Sequence, residues 1–416
     1  MIRREFLKRS LLVGVGSAAV LLAGGLGPRS AFAEPLFPTK RTTQLPTTPA
    51  YTVFIDPAGA NLVKALNNTT NKVDYSSQDA TNVIQSAIGA LRNGGSILIQ
   101  RGTYIISTGL VSNTSNGVEL YGEGNLTVLR LADSVNRSLI TLQSVRDWHI
   151  HDLQLDGNKT NQAPNSTKSN AIAAWNCTNI LVERIYVHDC RNYGLTFSMC
   201  TGSKMLNNYV NDSGANGITI DDQGGGGGNV VQGNVVDGAS DVGITAWAGK
   251  DLLIEDNQVM NIDNNDSPYG ANTHIGMMAE GSTLGCTRVT YKGNIVKACA
   301  ASGFSSFPGA NAINTDISVE SNQISNCGKC GAYFGRSTGS RAQNNIILSC
   351  SLDGISLGEN ANNNTIASNQ VSGCRTGVSI DTPKAVNNLV ASNKLAGNTV
   401  AIKDLGTGTT ISDNTT

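Results

Sequence analysis

From residue 170 onward the chain repeats one pattern about every 24 residues: a glycine (Ala171 in the first copy), a short alternating β-type run, a polar turn, a second apolar run, then an asparagine. The opening glycines are Gly194, Gly217, Gly243, Gly276, Gly303, Gly331, Gly354 and Gly377, mostly 23 to 27 apart with one longer step of 33. The asparagines are Asn208, Asn234, Asn257, Asn294, Asn322, Asn345, Asn369 and Asn393. A repeat of this length, with period-2 strands and no helical periodicity, predicts a solenoid in which each repeat is one coil. One coil cannot bury its own apolar face, whereas stacked coils pair every strand with the next and build a continuous core. The fold class is therefore all-β, a single-stranded right-handed parallel β-helix, with asparagines hydrogen-bonding from coil to coil.

Cysteines follow the same period: Cys299, Cys327, Cys350 and Cys374 each lie five residues after a ladder asparagine. A stack of small buried thiols and a set of disulfides both fit that spacing. Cys327-Gly-Lys-Cys330 is a lone CxxC without the second pair that a zinc site needs.

Upstream, Ser77 to Gly94 predicts one amphipathic helix, with Val83, Ile84, Ala87, Ile88 and Leu91 as its apolar stripe and Gly94 and Gly95 ending it. This helix is placed as the lid on the open end of the solenoid. The chain then divides into residues 1–33, a Pro- and Thr-rich linker at 34–50, a cap at 51–95 and the β-helix at 96–416. Arg3, Arg4 and Lys8 precede an apolar Gly- and Ala-containing run that ends at Ala31-Phe32-Ala33, which resembles a twin-arginine export signal and implies secretion or a periplasmic or surface location. Its removal leaves 25 basic and 30 acidic residues, because 5 of the 30 Lys and Arg and 1 of the 31 Asp and Glu lie within it. That mildly acidic balance, with only 15% charged residues in the whole chain, argues against a nucleic-acid partner, and no later run is long enough to span a membrane. No second cap is visible at the C-terminus, so a homo-oligomer is one way to cover that end.

Four segments carry a resemblance. They are Asp79-Ala-Thr-Asn-Val-Ile-Gln-Ser-Ala-Ile88, Gly94-Gly-Ser-Ile-Leu-Ile-Gln-Arg-Gly-Thr-Tyr104, Leu120-Tyr-Gly-Glu-Gly124 and Leu155-Asp-Gly-Asn158. Together they resemble the entry module of the pectate-lyase-like β-helix superfamily. The resemblance implies polysaccharide lyases, glycoside hydrolases and uronan epimerases, and it marks the fold better than the reaction. Ile220-Asp221-Asp222 is similar to the paired aspartates of polygalacturonase-like hydrolases, but the Gly-His-Gly and Arg-Ile-Lys signatures are absent. The Asp-Pro-His-Glu motif of mannuronan epimerases would follow Tyr193-Gly194, where this chain has Leu195-Thr-Phe-Ser-Met199.

Counting from each opening glycine, positions +1 and +3 point inward and +2 and +4 outward. The +4 column then reads Trp175, Ser198, Asp221, Trp247, Glu280, Phe307, Gly335, Gly358 and Asp381, an exposed line of indoles and carboxylates. Indole faces are platforms for sugar rings, although a loop folded over them would explain the same residues. Asp221 and Glu280 lie two coils apart, about 9.6 Å between backbones, near the separation of an inverting carboxylate pair. Asp222 is a helper or a metal ligand. Two residues before the glycines, Asp241 and His274 fall in neighbouring coils, where a carboxylate could orient an imidazole or both could make turn hydrogen bonds. Polar insertions at 263–273 and 224–228 sit beside these residues, as binding loops of solenoids do.

Three functions follow. A glycoside hydrolase or transglycosylase would use Asp221 and Glu280 as catalytic pair, Trp175, Trp247 and Phe307 as sugar platforms, and Asp241 with His274 as assistants. It needs no cofactor. A calcium-assisted polyuronate lyase or C5-epimerase would use Asp221 and Asp222 as ligands and Lys250 or Arg336 as base. A non-catalytic glycan-binding solenoid would use the aromatic line alone. In each the partner is a polysaccharide or oligosaccharide, and an acidic aromatic groove favours a neutral glycan.

Overall fold

The computed structural model describes residues 48–59, 61–223, 225–269, 273–309 and 311–416. Residues 1–33, expected to be an export segment, and most of the expected linker 34–50 lie outside the described residues. Among the described residues, no helix is long and apolar enough to cross a membrane.

The chain is a parallel β-helix. One face is a sheet of 12 strands, running coil by coil from Leu110–Ser112 to Val400–Asp404. The remaining strands form one 27-stranded sheet that bends around the other faces. Its bends fall where the residue just before a ladder asparagine takes left-handed backbone, as at Asn207 (φ 53°), Gly233 (φ 68°), Asp256 (φ 54°) and Ser321 (φ 55°). Short polar residues and glycine tolerate that conformation, which accounts for the Asn, Asp, Gly and Ser at this position.

The asparagine that follows each bend points inward and is buried. Asn322 shows the pattern. Its Oδ1 accepts from both the backbone N–H and the Nδ2 of Asn294, each at 2.9 Å. Its own Nδ2 donates to the Tyr291 carbonyl at 2.9 Å and to Asn345 Oδ1 at 3.0 Å. The same linkage runs from Asn208 to Asn393 and continues to Asn414. Polar bends are thereby satisfied inside an apolar stack, where an unpaired amide would be costly.

The opening glycines are required by space. A Cβ on Gly276 would lie 2.6 Å from the Gly303 carbonyl oxygen and 3.0 Å from Cys299 Sγ, so the backbone itself packs against the facing strand. That facing column is Val210, Val236, Val259, Val296, Ile324, Ile347 and Val371, all buried. Each contributes roughly 1.5–3 kcal/mol of apolar burial. All nine cysteines are free and buried, and the Cys327 thiol donates to the Ser325 carbonyl at 3.5 Å.

The cap differs in detail from the predicted one. Its helix is Ala80–Ala90, shorter than the predicted span, because Asp79 caps it by accepting from the Thr81 N–H at 2.9 Å and the chain leaves it at Leu91. Gly94 and Gly95, at φ 94° and 139°, then redirect the backbone. Strands Tyr51–Ile55, Val63–Asn67 and Lys72–Ser77 form an antiparallel meander, and the first also pairs in parallel with Gly95–Ile99. The helix buries Val83, Ile84, Ala87 and Ile88, four of the five residues in the predicted stripe, in the same core as the coils, and Leu91 joins them from the helix end.

Replacement of Asn322 by Ala strands the Asn294 amides and the Tyr291 carbonyl. It is expected to cost about 3 kcal/mol and to lower the denaturation midpoint clearly. Replacement of exposed Gln323 by Ala is the control and should leave the midpoint unchanged within about 0.5 kcal/mol.

Candidate active site

Strand pairing places the predicted column in register. Trp175 pairs with Ser198, Ser198 with Asp221, Asp221 with Trp247, and Trp247 with Glu280. Because +1 and +3 residues such as Ile218 and Ile220 are fully buried, these side chains stand on the outer face of the 12-stranded sheet.

The column is not uniformly exposed, as the sequence had suggested. Trp175 is 50% exposed, Asp221 and Trp247 are half-buried, and Glu280 is only 9% exposed. After Glu280 and Phe307 the coil-to-coil pairing continues, with the Gly309 N–H donating to the Gly281 carbonyl at 2.5 Å. Outward +2 residues are buried too: Thr219 is 5% exposed and Thr245 is fully buried. The Thr245 hydroxyl donates to Glu280 Oε1 at 3.5 Å, which holds the carboxylate over the sheet.

Asp221 ends its strand and Asp222 begins the turn into the glycine loop. The Gln223 N–H donates to Asp221 Oδ1 at 3.1 Å. Burial lifts the Asp221 carboxyl above its ordinary pKa, partly offset by that N–H. Asp222 is 6% exposed and accepts from the Lys250 N–H on Oδ2 at 3.1 Å and from Asn229 Nδ2 on Oδ1 at 3.3 Å. Its pKa is pushed up to about 7, by burial first, with the Lys250 N–H opposing and the neighbouring Asp221 charge adding. Three of the four oxygens of this pair thus face N–H donors, which favour the ionised form and oppose the upward shift caused by burial. A calcium ion, which takes six to eight oxygen ligands, is not matched by this donor set.

The other predicted residues are distributed as follows. Asp241 is buried and accepts from the Thr273 N–H at 3.2 Å and the Thr273 hydroxyl at 2.6 Å. His274 directs Nε2 to the Asn264 carbonyl at 2.8 Å. Both are thus bonded to described residues of the insertion, Asp241 to Thr273 and His274 to Asn264. That insertion also reaches across to Tyr193 through the Tyr269 hydroxyl, 3.1 Å away. Lys250 contributes its backbone N–H to Asp222 while its side chain is exposed. Arg336 stacks its guanidinium over Phe307, 5.5 Å from the ring centre, and lies 3.8 Å from Glu359, so it is committed to structural contacts.

Tyr333 was missed by the sequence reading. Its ring lies across Gly335 and Gly358, where a Cβ at either position would collide with it, and 5.9 Å from the ring of Phe307. Burial pushes its hydroxyl up to about 12. Two successive glycines in the +4 column were the signal that a neighbouring ring occupies that space. Together Trp175, Trp247, Phe307 and Tyr333 form an aromatic line with carboxylates between the two indoles and beyond the second.

The family profile described as right handed beta helix region matches residues 63–259 and 261–416. No curated protein sequence matches the chain. Among solved structures, the Azotobacter vinelandii mannuronan C-5 epimerase AlgE4 A-module is similar at TM-score 0.70 and 18% identity, over 80% of this chain and 95% of that one. The Dettilon tailspike protein is similar at TM-score 0.60 and 14% identity, over 78% and 64%. A GH87 α-1,3-glucanase catalytic domain, solved in complex with tetrasaccharides, is similar at TM-score 0.54 and 15% identity, over 78% and 67%. At these identities the likeness is one of fold.

The three tryptophans make the exposure pattern measurable, since Trp148 is 1% exposed. Replacing Trp175 by Phe is expected to remove most of the acrylamide-quenchable fluorescence. Replacing Trp247 by Phe should remove a smaller share.

Proposed function

This chain belongs to the right handed beta helix family, and on that scaffold we propose a polysaccharide-active enzyme that cleaves or transfers glycosidic bonds with Asp221 and Glu280. The observation that carries the reading is the register of Asp221, Trp247 and Glu280 on one outer face. Two carboxylates flank an indole, with backbones about 9.6 Å apart, twice the coil spacing. A sugar ring stacked on Trp247 would place its anomeric carbon between the two carboxyl groups.

In this reading Asp221, whose pKa burial raises, is the general acid and gives its proton to the departing glycosidic oxygen. Glu280, oriented by Thr245, is the base that draws a proton from water or an acceptor hydroxyl as it attacks the anomeric carbon. The pKa of Asp222, beside Asp221, is itself raised by burial and by the Asp221 charge. Trp175, Phe307 and Tyr333 extend the binding line on either side. Neighbours named for mannuronan and for α-1,3-glucan support a glycan as the ligand class. Asp221, Asp222 and Glu280 on one side of the sheet favour a neutral glycan, because lined-up carboxylates would repel a polyuronate. Residues 1–33 are proposed to direct export, which brings such an enzyme to extracellular polysaccharide.

The test is an assay of the full chain on neutral and uronic-acid polysaccharides, following reducing ends and unsaturated products with and without chelator. New reducing ends or transfer products from a neutral glycan support the reading. Asp221→Asn and Glu280→Gln are each expected to lower kcat by about 10²- to 10⁴-fold. Trp247→Ala should chiefly raise KM. Chelator-sensitive unsaturated product, or full activity in both carboxylate variants, would overturn the assignment.

The pH dependence has a defined sign. An acid must be protonated to act, so kcat/KM is expected to fall as pH rises through the lifted Asp221 pKa. The alkaline limb should therefore lie above the ordinary carboxylate value of about 3.9.

A further inference from the structure

Three of the four histidines lie away from the candidate active site, on strands of the 27-stranded sheet. His149 and His151 flank Ile150, which is fully buried, so both imidazoles stand on the outer face of strand His149–Asp156. Register sets Glu119 opposite His149 in the preceding coil and Glu183 opposite His151 in the following one.

We propose that Glu119, His149 and His151 form a divalent transition-metal site of the Zn²⁺ class. One oxygen, Glu119 Oε1, lies 3.2 Å from His151 Nε2 and 3.8 Å from His149 Nδ1. Ligands around a tetrahedral ion with bonds of about 2.0–2.1 Å are separated by about 3.3 Å, so these donors are spaced to share one ion. The remaining nitrogens are held as metal-bound histidines hold theirs. His151 Nδ1 lies 2.7 Å from Asp152 Oδ2, and His149 Nε2 lies 2.9 Å from Glu183 Oε1. A carboxylate behind each imidazole fixes the tautomer that leaves a lone pair toward the ion.

Arg184 braces this outer layer. It makes two 2.9 Å bonds to Asp152 and a 2.5 Å contact to Glu183, with Nη2 also 3.3 Å from His151 Nδ1. Tyr121 stacks on His151 with planes 6° apart and fixes the ring's orientation. Glu119 and His149 remain partly exposed, which gives an ion a path in and leaves a fourth position for solvent. The bound ion would tie two successive coils next to the cap.

The second His-containing group, Asp156, His188 and Asp189, lacks this arrangement. Both ring nitrogens of His188 are already engaged at 2.7 Å, one by Asp189 and one by the Gln154 amide. It serves as the internal control.

The test is titration of the chelator-treated full chain with Zn²⁺, and with Co²⁺ as a spectroscopic probe. Expected are one equivalent bound, a tetrahedral Co²⁺ spectrum displaced by Zn²⁺, and a raised thermal midpoint with Zn²⁺. His151→Ala and the conservative Glu119→Gln should lose binding while keeping the wild-type circular dichroism. Asp152→Asn should weaken it about 10- to 100-fold. His188→Ala should change nothing. Absence of saturable binding, binding that survives both His151→Ala and Glu119→Gln, or binding lost only in His188→Ala would overturn the proposal.

Discussion

Coil-to-coil hydrogen bonding fixes the vertical spacing of this molecule, and everything else is placed by it. Backbone amides pair each strand with the next, and the inward asparagines carry the same linkage through the bends, where backbone pairing is interrupted. Asn322 illustrates why the residue is so specific: one short amide supplies two donors and an acceptor used twice, within an apolar stack. Aspartate offers no donor, and glutamine is too long to meet both neighbours from the same position.

Once spacing is fixed, side-chain position becomes arithmetic. A residue's offset from the opening glycine decides its face, and its coil number decides its height. This is how Asp221, Trp247 and Glu280, up to 59 residues apart in sequence, come to stand in a line on one sheet. The same arithmetic places Glu119 beside His149 on a different sheet. The scaffold thus displays separate side-chain groups at set intervals.

The parts legible in the sequence were those the period governs. The solenoid, the asparagine ladder and the +4 register could all be read from spacing. What the period does not govern was missed. The low exposure of Glu280 is not set by the repeat, since Trp175 in the same column is half exposed. The fate of Asp241 and His274 depends on the 263–273 insertion, whose contacts with Tyr193 and Asp241 are tertiary. Tyr333 sits in the +2 column, and only the glycine gaps at 335 and 358 hinted that its ring turns sideways. The histidine group escaped because it precedes the first glycine-opened repeat, in coils where no asparagine ladder announces the register.

The central claim is that Asp221 and Glu280 act as a pair across Trp247. Their separation makes a stereochemical statement, since carboxyl groups about 6.5–9.5 Å apart leave room for a water and invert the anomeric centre, whereas about 5–5.5 Å implies retention. The most direct measurement is the anomeric configuration of the first product, followed by proton NMR during early turnover on a neutral glycan. The account predicts inversion. Retention, or an unsaturated product with no new anomeric hydroxyl, would contradict it.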